Sequence, residues 1–533
     1  MKKFGVMLDC SRNAVMIVEE VKKFAAILKK FGYNMMMLYT EDTYEVDGEP
    51  YFGYLRGRYS KAELKEIERD CEKMGVEVIP CIQTLAHLER IFRWADYPSV
   101  NDQKDTLLVG AERTYELIEN MFRSLRDCFD SEYVHIGMDE AHALGRGQYL
   151  DLHGARNRFE ILSEHLARVI EIAKKYGFKP VMWPDMFFRL GNHGEYYPEN
   201  PVVSEECVAL TPKEVDLVYW DYYHTDKATY DKMFAAHKKF ENGIWFAGGA
   251  WTWNGFASGN KTTLDTMFPA MESVKENGIE NVVITLWGDN GKECSFYSVL
   301  PSLFAIRRYC DGERDDAHIR AEFSKLTGED YDAFFALDLA NFVGNNATAM
   351  NNPCKYMLYS DPFYGFFDST ISDGAEAEYE AHAARLEELS KAGNYSYLFA
   401  CEAALCRLLA VKYPLGKRTR EAYKKGKEAL AALVKGYEEA EKRLETFYRA
   451  FRTLWYKENK PQGFDVHDLR LGGLARRLRS CRERIESYLG GEIDGIPELE
   501  EEILPFHAFE QRVKAGGTAN WNSWATTASV HEI

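Results

Sequence analysis

The sequence predicts an α/β chain: a (β/α)8 TIM barrel over residues 1–310, followed by a mostly α-helical C-terminal domain over residues 311–533. Three observations lead there. Eight short apolar runs alternate with amphipathic helical stretches through about the first 305 residues. Polar and aromatic side chains gather just after nearly every run, where a barrel places its chemistry. After about residue 315 the strand signals fade and helical spacing takes over.

The candidate strands are Phe4–Leu8, Asn34–Tyr39, Val76–Cys81, Tyr133–Gly137, Pro180–Trp183, Leu217–Trp220, Ile244–Ala247 and Val282–Trp287. Between most of them lie helical patterns: Val15–Phe31, Lys61–Met74, Leu107–Phe129, Phe159–Tyr176 and Leu264–Glu276. An open doubly wound sheet is the competing layout. No Gly-x-Gly-x-x-Gly turn follows the first strand, so dinucleotide binding has no support. Gly288-Asp289-Asn290-Gly291-Lys292 has the residues of a phosphate loop without its spacing. Met35-Met36-Met37 reads as plain strand core.

Beyond the barrel, Arg418 to Lys457 reads as one long helical segment. Its residues Leu430, Leu433, Tyr437, Ala440, Leu444, Phe447, Phe451 and Leu454 are spaced alternately by three and four, which makes a narrow apolar seam. Leu471, Leu474, Leu478, Cys481 and Ile485 repeat the pattern, and Ser396–Val411 is more broadly apolar. An intrachain bundle is expected, with a homodimer seam as the alternative. The charge-rich stretch Lys417 to Lys427 reads as a solvated helix face. The polar tail Gly516 to Ile533 carries Trp521 and Trp524, which are candidates to dock it.

Composition narrows the function. A hydrophobic content of 46% supports a sizeable core, and 14% aromatics suit sugar-stacking surfaces. A net charge of −18 argues against a nucleic-acid partner and against strongly anionic substrates. The apolar run Phe4 to Leu8 is too short for a signal-peptide core, and no stretch is long enough to span a membrane. The 11 cysteines lack paired short spacings, so they read as reduced thiols in a cytoplasmic protein rather than a disulfide frame or zinc site. Cys71, Cys401 and Cys481 fall in helical patterns as packing residues.

The ends of the eight strands carry the candidate chemistry. They supply Asp9-Cys10-Ser11-Arg12, then Thr40-Glu41-Asp42, then Gln83 and His87, then His135, Asp139 and Glu140. The later four supply Trp183 and Asp185; Trp220, Asp221, Tyr222 and Tyr223; Trp251, Trp253 and Asn254; and Trp287, Asp289, Asn290 and Glu293. Tryptophan walls with carboxylates and an arginine describe a carbohydrate pocket: the C–H face of a sugar packs on indole, and its hydroxyls take charged partners. Asp139 and Glu140 are the sharpest signal. Adjacent acids repel, and a reaction needing one charged and one protonated carboxyl gives a reason to pair them. The competing reading is an acidic turn capping the next helix. Arg12 in its short turn after strand one reads as a pocket residue, with a surface residue with a packed stem as the alternative; His87 could equally be an ordinary buried histidine, and one of the tryptophans core alone.

These residues resemble glycoside hydrolase family 20, the β-N-acetylhexosaminidases. The family's strand-four signature His-x-Gly-Gly-Asp-Glu reads here His135-x-Gly137-Met138-Asp139-Glu140, with Met in place of the second Gly. Gly5-x-x-Leu8-Asp9-x-Ser11-Arg12 looks like the strand-one element whose arginine holds hydroxyls of the terminal sugar. His87 falls where the family has a histidine, Trp183, Trp220 and Trp287 resemble its acetamido box, and Trp287-Gly288-Asp289 resembles its Trp-x-Glu. The usual strand-seven tyrosine is replaced by Trp251 and Trp253, which leaves Tyr222 or Tyr223 for that contact. The likeness covers roughly residues 1 to 305 and is to shorter members without a domain before the barrel.

The resemblance implies hydrolysis of terminal β-linked GlcNAc or GalNAc with retention, in which the substrate's own acetamido oxygen attacks. Glu140 would be acid and then base, and Asp139 would orient the acetamido N–H. Arg12 with Asp289 or Glu293 would grip the hydroxyls, and His87, His135 and the tryptophans would complete the pocket. The substrate would be a small oligosaccharide or glycoconjugate, with no cofactor or metal. Two rivals stand beside this: double displacement by Glu140 with Asp185 or Asp221, and a non-catalytic sugar-binding barrel.

Overall fold

Strand β1 (Lys3–Asp9) is buried from Phe4 onward, and every residue of β2 (Met35–Tyr39) is buried. Strands covered on both faces cannot alternate apolar with polar residues, so they read as continuous apolar runs. The computed structural model describes residues 1–346 and 351–504. These residues divide into two compact units. The first unit comprises Met1–Ala250, Thr263–Trp287 and Leu303–Arg314, and the second comprises Trp251–Thr262, Gly288–Ser302 and the chain from Asp315.

The first unit holds a closed barrel. Its strands are β1, β2, β3 (Glu77–Cys81), β4 (Tyr133–His135), β5 (Lys179–Met182), β6 (Asp216–Trp220), β7 (Ile244–Gly249) and β8 (Asn281–Leu286). All neighbours are parallel, and β8 returns to β1 with Lys3 opposite Asn281. Each expected strand forms within about two residues of its sequence bounds. Local signals start and stop the helices between them. Ser60 and Glu63 form a reciprocal capping box at the start of Lys61–Lys73, and Asn157 caps Arg158–Lys175. Gly32, at φ 94, ends Val18–Phe31.

One boundary moves. The helix expected from Leu107 begins at Glu112, because Thr106–Leu107 pairs with Asn101–Gln103 in a small hairpin. Leu107 and Leu108 are buried there, so their apolar signal is real but not helical.

The second unit is mainly helical. Its long helices, Ala375–Leu389, Ser396–Lys425, Val434–Glu458 and Asp465–Gly490, pack in series on one another. Tyr437, Leu444, Phe447, Phe451 and Leu454 are buried, as are Leu471, Leu474, Leu478, Cys481 and Ile485. Burying each large apolar side chain contributes roughly 1.5–3 kcal/mol. The segment from Arg418 to Lys457 is not one helix. Gly426, at φ 111 and ψ 176, closes the first helix, and a short turn of helix (Lys427–Ala431) precedes the next. The three-and-four spacing crosses that break because the segments on both sides meet the same core. Trp521 and Trp524 lie outside the described residues. No helix among the described residues is long and apolar enough to cross a membrane.

Candidate active site

The site in the barrel unit is built on the turn that leaves β4. Ile82 N–H donates to the His135 carbonyl at 2.8 Å, and Trp183 N–H donates to the Gly137 carbonyl at 3.1 Å. The turn therefore hangs between β3 and β5. Gly137, Met138 and Glu140 have φ of 73°, 74° and 50°, so three of four consecutive residues are left-handed. The side chain of Gln83 holds this strained backbone, accepting from Met138 N–H at 3.1 Å. A Cβ on Gly137 would lie 2.0 Å from Gln83 Oε1, which explains a glycine there. Met138 occupies a left-handed position that favours glycine, which gives the family's second glycine a physical reason.

Asp139 and Glu140 project from this turn toward one imidazole. His87 Nε2 lies 3.2 Å from Asp139 Oδ2 and 3.9 Å from Glu140 Oε2. Gln83 donates from Nε2 to Asp139 Oδ1 at 2.7 Å and to the Tyr39 hydroxyl at 2.9 Å. Burial pushes the Asp139 carboxyl up, but His87 and the Gln83 hydrogen bond outweigh it and hold the group below its ordinary value. For His87, burial acts against the charged form, while Asp139 and then Glu41 hold its pKa well above the ordinary value. Asp139 is thus an ionised carboxylate in a mostly buried setting. The Glu140 side chain is 42% exposed, open to exchange protons with solvent.

A second layer fixes Glu140. Its N–H donates to Asp185 Oδ2 at 3.1 Å. Arg189 bridges the two acids, 2.9 Å from Asp185 Oδ2 and 3.3 Å from Glu140 Oε1. Burial, then the charge of Asp139, push Asp185 above its ordinary value despite Arg189. On the opposite side Arg12 lies 3.5 Å from both Asp9 and Glu41. Burial raises the Glu41 pKa, and Arg12 and His87 pull it down.

Aromatic rings line the same unit. Trp183 packs against His135 with the rings tilted by 48° at 4.2 Å between centroids, and lies 6.2 Å from Trp287. Trp287 donates from its indole N–H to the Tyr222 hydroxyl at 3.2 Å, and Tyr222 stacks on Trp220 at 5.5 Å. Tyr223 contacts Tyr222 and is largely exposed. His135 is neutral, since burial pushes its pKa down to about 3. Its Nδ1 accepts from Gly137 N–H, which places its proton on Nε2.

The structure therefore brings together Arg12, His87, His135, Asp139, Glu140, Trp183, Trp220, Tyr222, Tyr223 and Trp287 in the barrel unit. Trp251, Trp253, Asp289 and Glu293 fall in the second unit. There Trp251 and Trp253 stack at 4.5 Å, and Glu293 is ion-paired with Lys355 at 2.7 Å and Arg470 at 3.2 Å. Sequence reasoning named Gln83 and Tyr39 only at strand ends and did not name Arg189. Arg189 sits four residues after Asp185 on the short helix Asp185–Gly191, a spacing that pairs charges on one helix face.

A family model for the catalytic domain of glycosyl hydrolase family 20 matches residues 4–229. A model for the C-terminal domain of glycoside hydrolase 20C matches residues 329–517. The chain belongs to glycoside hydrolase family 20. Among similar proteins, this family 20 chain is 24% identical to Hexosaminidase D of Bos taurus over 308 residues, which are 52% of this chain and 82% of the relative. It is 24% identical to a Beta-hexosaminidase of Akkermansia muciniphila over 238 residues, 38% of this chain and 47% of that one. The match thus spans less than half of the bacterial relative. A solved chitobiase of Flavobacterium johnsoniae is 15% identical, with 85% of this chain and 77% of that chain covered at a TM-score of 0.48.

Proposed function

We propose that this glycoside hydrolase is a retaining exo-β-N-acetylhexosaminidase. It removes terminal non-reducing β-linked GlcNAc or GalNAc, and the substrate's acetamido oxygen is the nucleophile. The observation that carries the reading is the convergence of Asp139 and Glu140 on His87 Nε2, with Asp139 held ionised.

In the first step Glu140 gives its proton to the glycosidic oxygen as the C1–O bond breaks. The acetamido carbonyl oxygen bonds to C1 from the opposite face. Asp139 accepts the acetamido N–H and stabilises the positive charge of the oxazolinium-type ring. Water then adds to C1, Glu140 takes its proton, and the ring opens with retention. Arg12 serves the sugar hydroxyls. The indoles of Trp183, Trp220 and Trp287, with Tyr222 and Tyr223, enclose the ring and its acetamido group.

Three buried polar atoms support a polar ligand here. His135 Nε2, Trp183 Nε1 and Asp185 Oδ1 have no hydrogen-bond partner among the described residues. Such atoms are costly to leave unpaired, and an acetamido or hydroxyl group would satisfy them. The double-displacement rival has less support. Asp185 Oδ2 is engaged by Glu140 N–H and Arg189, and Asp221 is held by His224 at 2.8 Å and by the Tyr219 hydroxyl at 2.8 Å. We place catalysis in residues 1–310, with 311–533 as the helical partner domain. None of the eleven cysteines is in a disulfide, which supports a cytoplasmic setting.

Nitrophenyl β-glycosides of GlcNAc, GalNAc and glucose test the reading. Turnover of the two hexosaminides with negligible glucoside activity is expected. Comparable glucoside turnover would favour a protein nucleophile, and no turnover at all would favour a sugar-binding barrel.

A further inference from the structure

The loop between β2 and the helix Lys61–Lys73 presents large aromatics to solvent. Tyr51 is 40% exposed, Tyr54 is 43% exposed and Leu55 is 72% exposed. Trp94, from the segment after β3, stacks on Tyr51 at 5.6 Å between centroids and meets Tyr54 edge-on at 5.2 Å. Folding alone gives little reason for this exposure, because a mobile loop would turn such rings inward.

This loop is not free to do so. Gly53, Leu55 and Gly57 have φ of 64°, 64° and 69°. A Cβ on Gly53 would lie 2.1 Å from the Asp42 carbonyl oxygen. Arg58 donates to the carbonyls of Pro50 and Phe52. Tyr97, three residues past Trp94, donates to Glu49 at 3.2 Å, which bolts the two segments together. Leu55 is thus both left-handed and 72% exposed within a loop that these bonds brace.

The platform is also tied to the candidate site. Arg56 lies two residues past Tyr54 and donates to the Arg12 carbonyl at 2.5 Å and to the Ser11 carbonyl. Its guanidinium also pairs with Asp42 at 3.0 Å. Arg56 therefore links the turn that carries Arg12 to the loop that carries Tyr54.

We propose that Tyr51, Tyr54 and Trp94 form a second saccharide subsite, for a further neutral pyranose ring of the same glycan whose terminal sugar sits at Asp139 and Glu140. The inference rests on the hexosaminidase reading. Rigid, preordered rings suit this task, since the C–H face of a pyranose stacks on them with little further ordering. The chain's net charge of −18 favours a neutral ring over an anionic one.

Steady-state kinetics on a β-linked GlcNAc trisaccharide and on nitrophenyl β-GlcNAc test it, with Trp94→Ala, Tyr54→Ala and Trp94→Phe. The alanine variants should lower kcat/KM on the trisaccharide about tenfold more than on the aryl monosaccharide, mainly through KM. Trp94→Phe should keep most of the wild-type ratio. Equal losses on both substrates would overturn the subsite, and so would an unchanged ratio with an altered sedimentation coefficient, which would mark an interface between copies. Calorimetric titration of the trisaccharide separates the two readings. Binding that weakens in Trp94→Ala while the wild type hydrolyses neither substrate would sink the hexosaminidase reading and leave the platform standing.

Discussion

His87 Nε2 stands 3.2 Å from Asp139 Oδ2, which sets a mostly buried cation against a mostly buried anion at the mouth of β4. The pairing keeps Asp139 ionised where burial alone would neutralise it. It also makes the stability of the site depend on pH in a definable way.

Because the folded-state pKa of His87 is raised, its stabilising contribution is complete below the ordinary imidazole value of 6.5 and is lost as pH climbs toward its folded value. Because that of Asp139 is depressed, its contribution is complete above about 4 and is lost at lower pH. The Tm difference between wild type and His87→Gln should therefore be largest between about pH 4 and 6.5 and shrink toward pH 10. A difference independent of pH would dismiss the ion pair.

Glu140→Gln should lose about 10²–10⁴-fold in kcat/KM on substrates with poor leaving groups, and much less on nitrophenyl glycosides that need no acid. Equal losses on both classes would contradict the acid role.

Asp139→Asn should weaken a thiazoline inhibitor that mimics the cyclic intermediate, with a loss of about 2–3 kcal/mol for a charge-assisted contact. An inhibition constant equal to that of the wild type would remove Asp139 from its role.

Gly137→Ala meets two obstacles, a φ of 73° and a Cβ position 2.0 Å from Gln83 Oε1. Backbone strain alone costs about 1–3 kcal/mol, and relief by shifting Gln83 would release Asp139. Thermal melting should show the lower Tm, and kcat should fall with it. Activity at the wild-type level would mean that the turn is looser than its hydrogen bonds suggest.

Lys355 and Glu293 are fully buried together in the second unit. Burial pulls the Lys355 pKa down to about 8 even though Glu293 opposes it. Lys355→Met leaves a buried carboxylate short of a partner and should cost about 3–5 kcal/mol. Lys355→Met combined with Glu293→Met should recover most of that in a denaturant melt, and additive losses would refute the pairing.

The barrel was legible because its strands are buried on both faces. Such strands appear as unbroken apolar runs, and the intervening helices as period-3.6 patterns, so each element announces itself locally. The acidic pair at 139 and 140 was legible because charge at the end of an apolar strand has no packing explanation. The role of Gln83 was not, because it comes from residues distant in sequence. Gln83 acts on Met138 and Asp139, 55 and 56 positions away. Helix continuity in the second unit misled for a related reason: an apolar seam reports what faces the core and is blind to the backbone break at Gly426.

By itself, the order of amino acids determined the alternation of strands and helices, the family signature around His135, and the residue types at each strand end. Tertiary structure decided which of those side chains meet. The closure of β8 on β1, the left-handed turn after β4 and the reach of His87 fix distances of a few ångströms, and such distances depend on register across strands that are far apart along the chain.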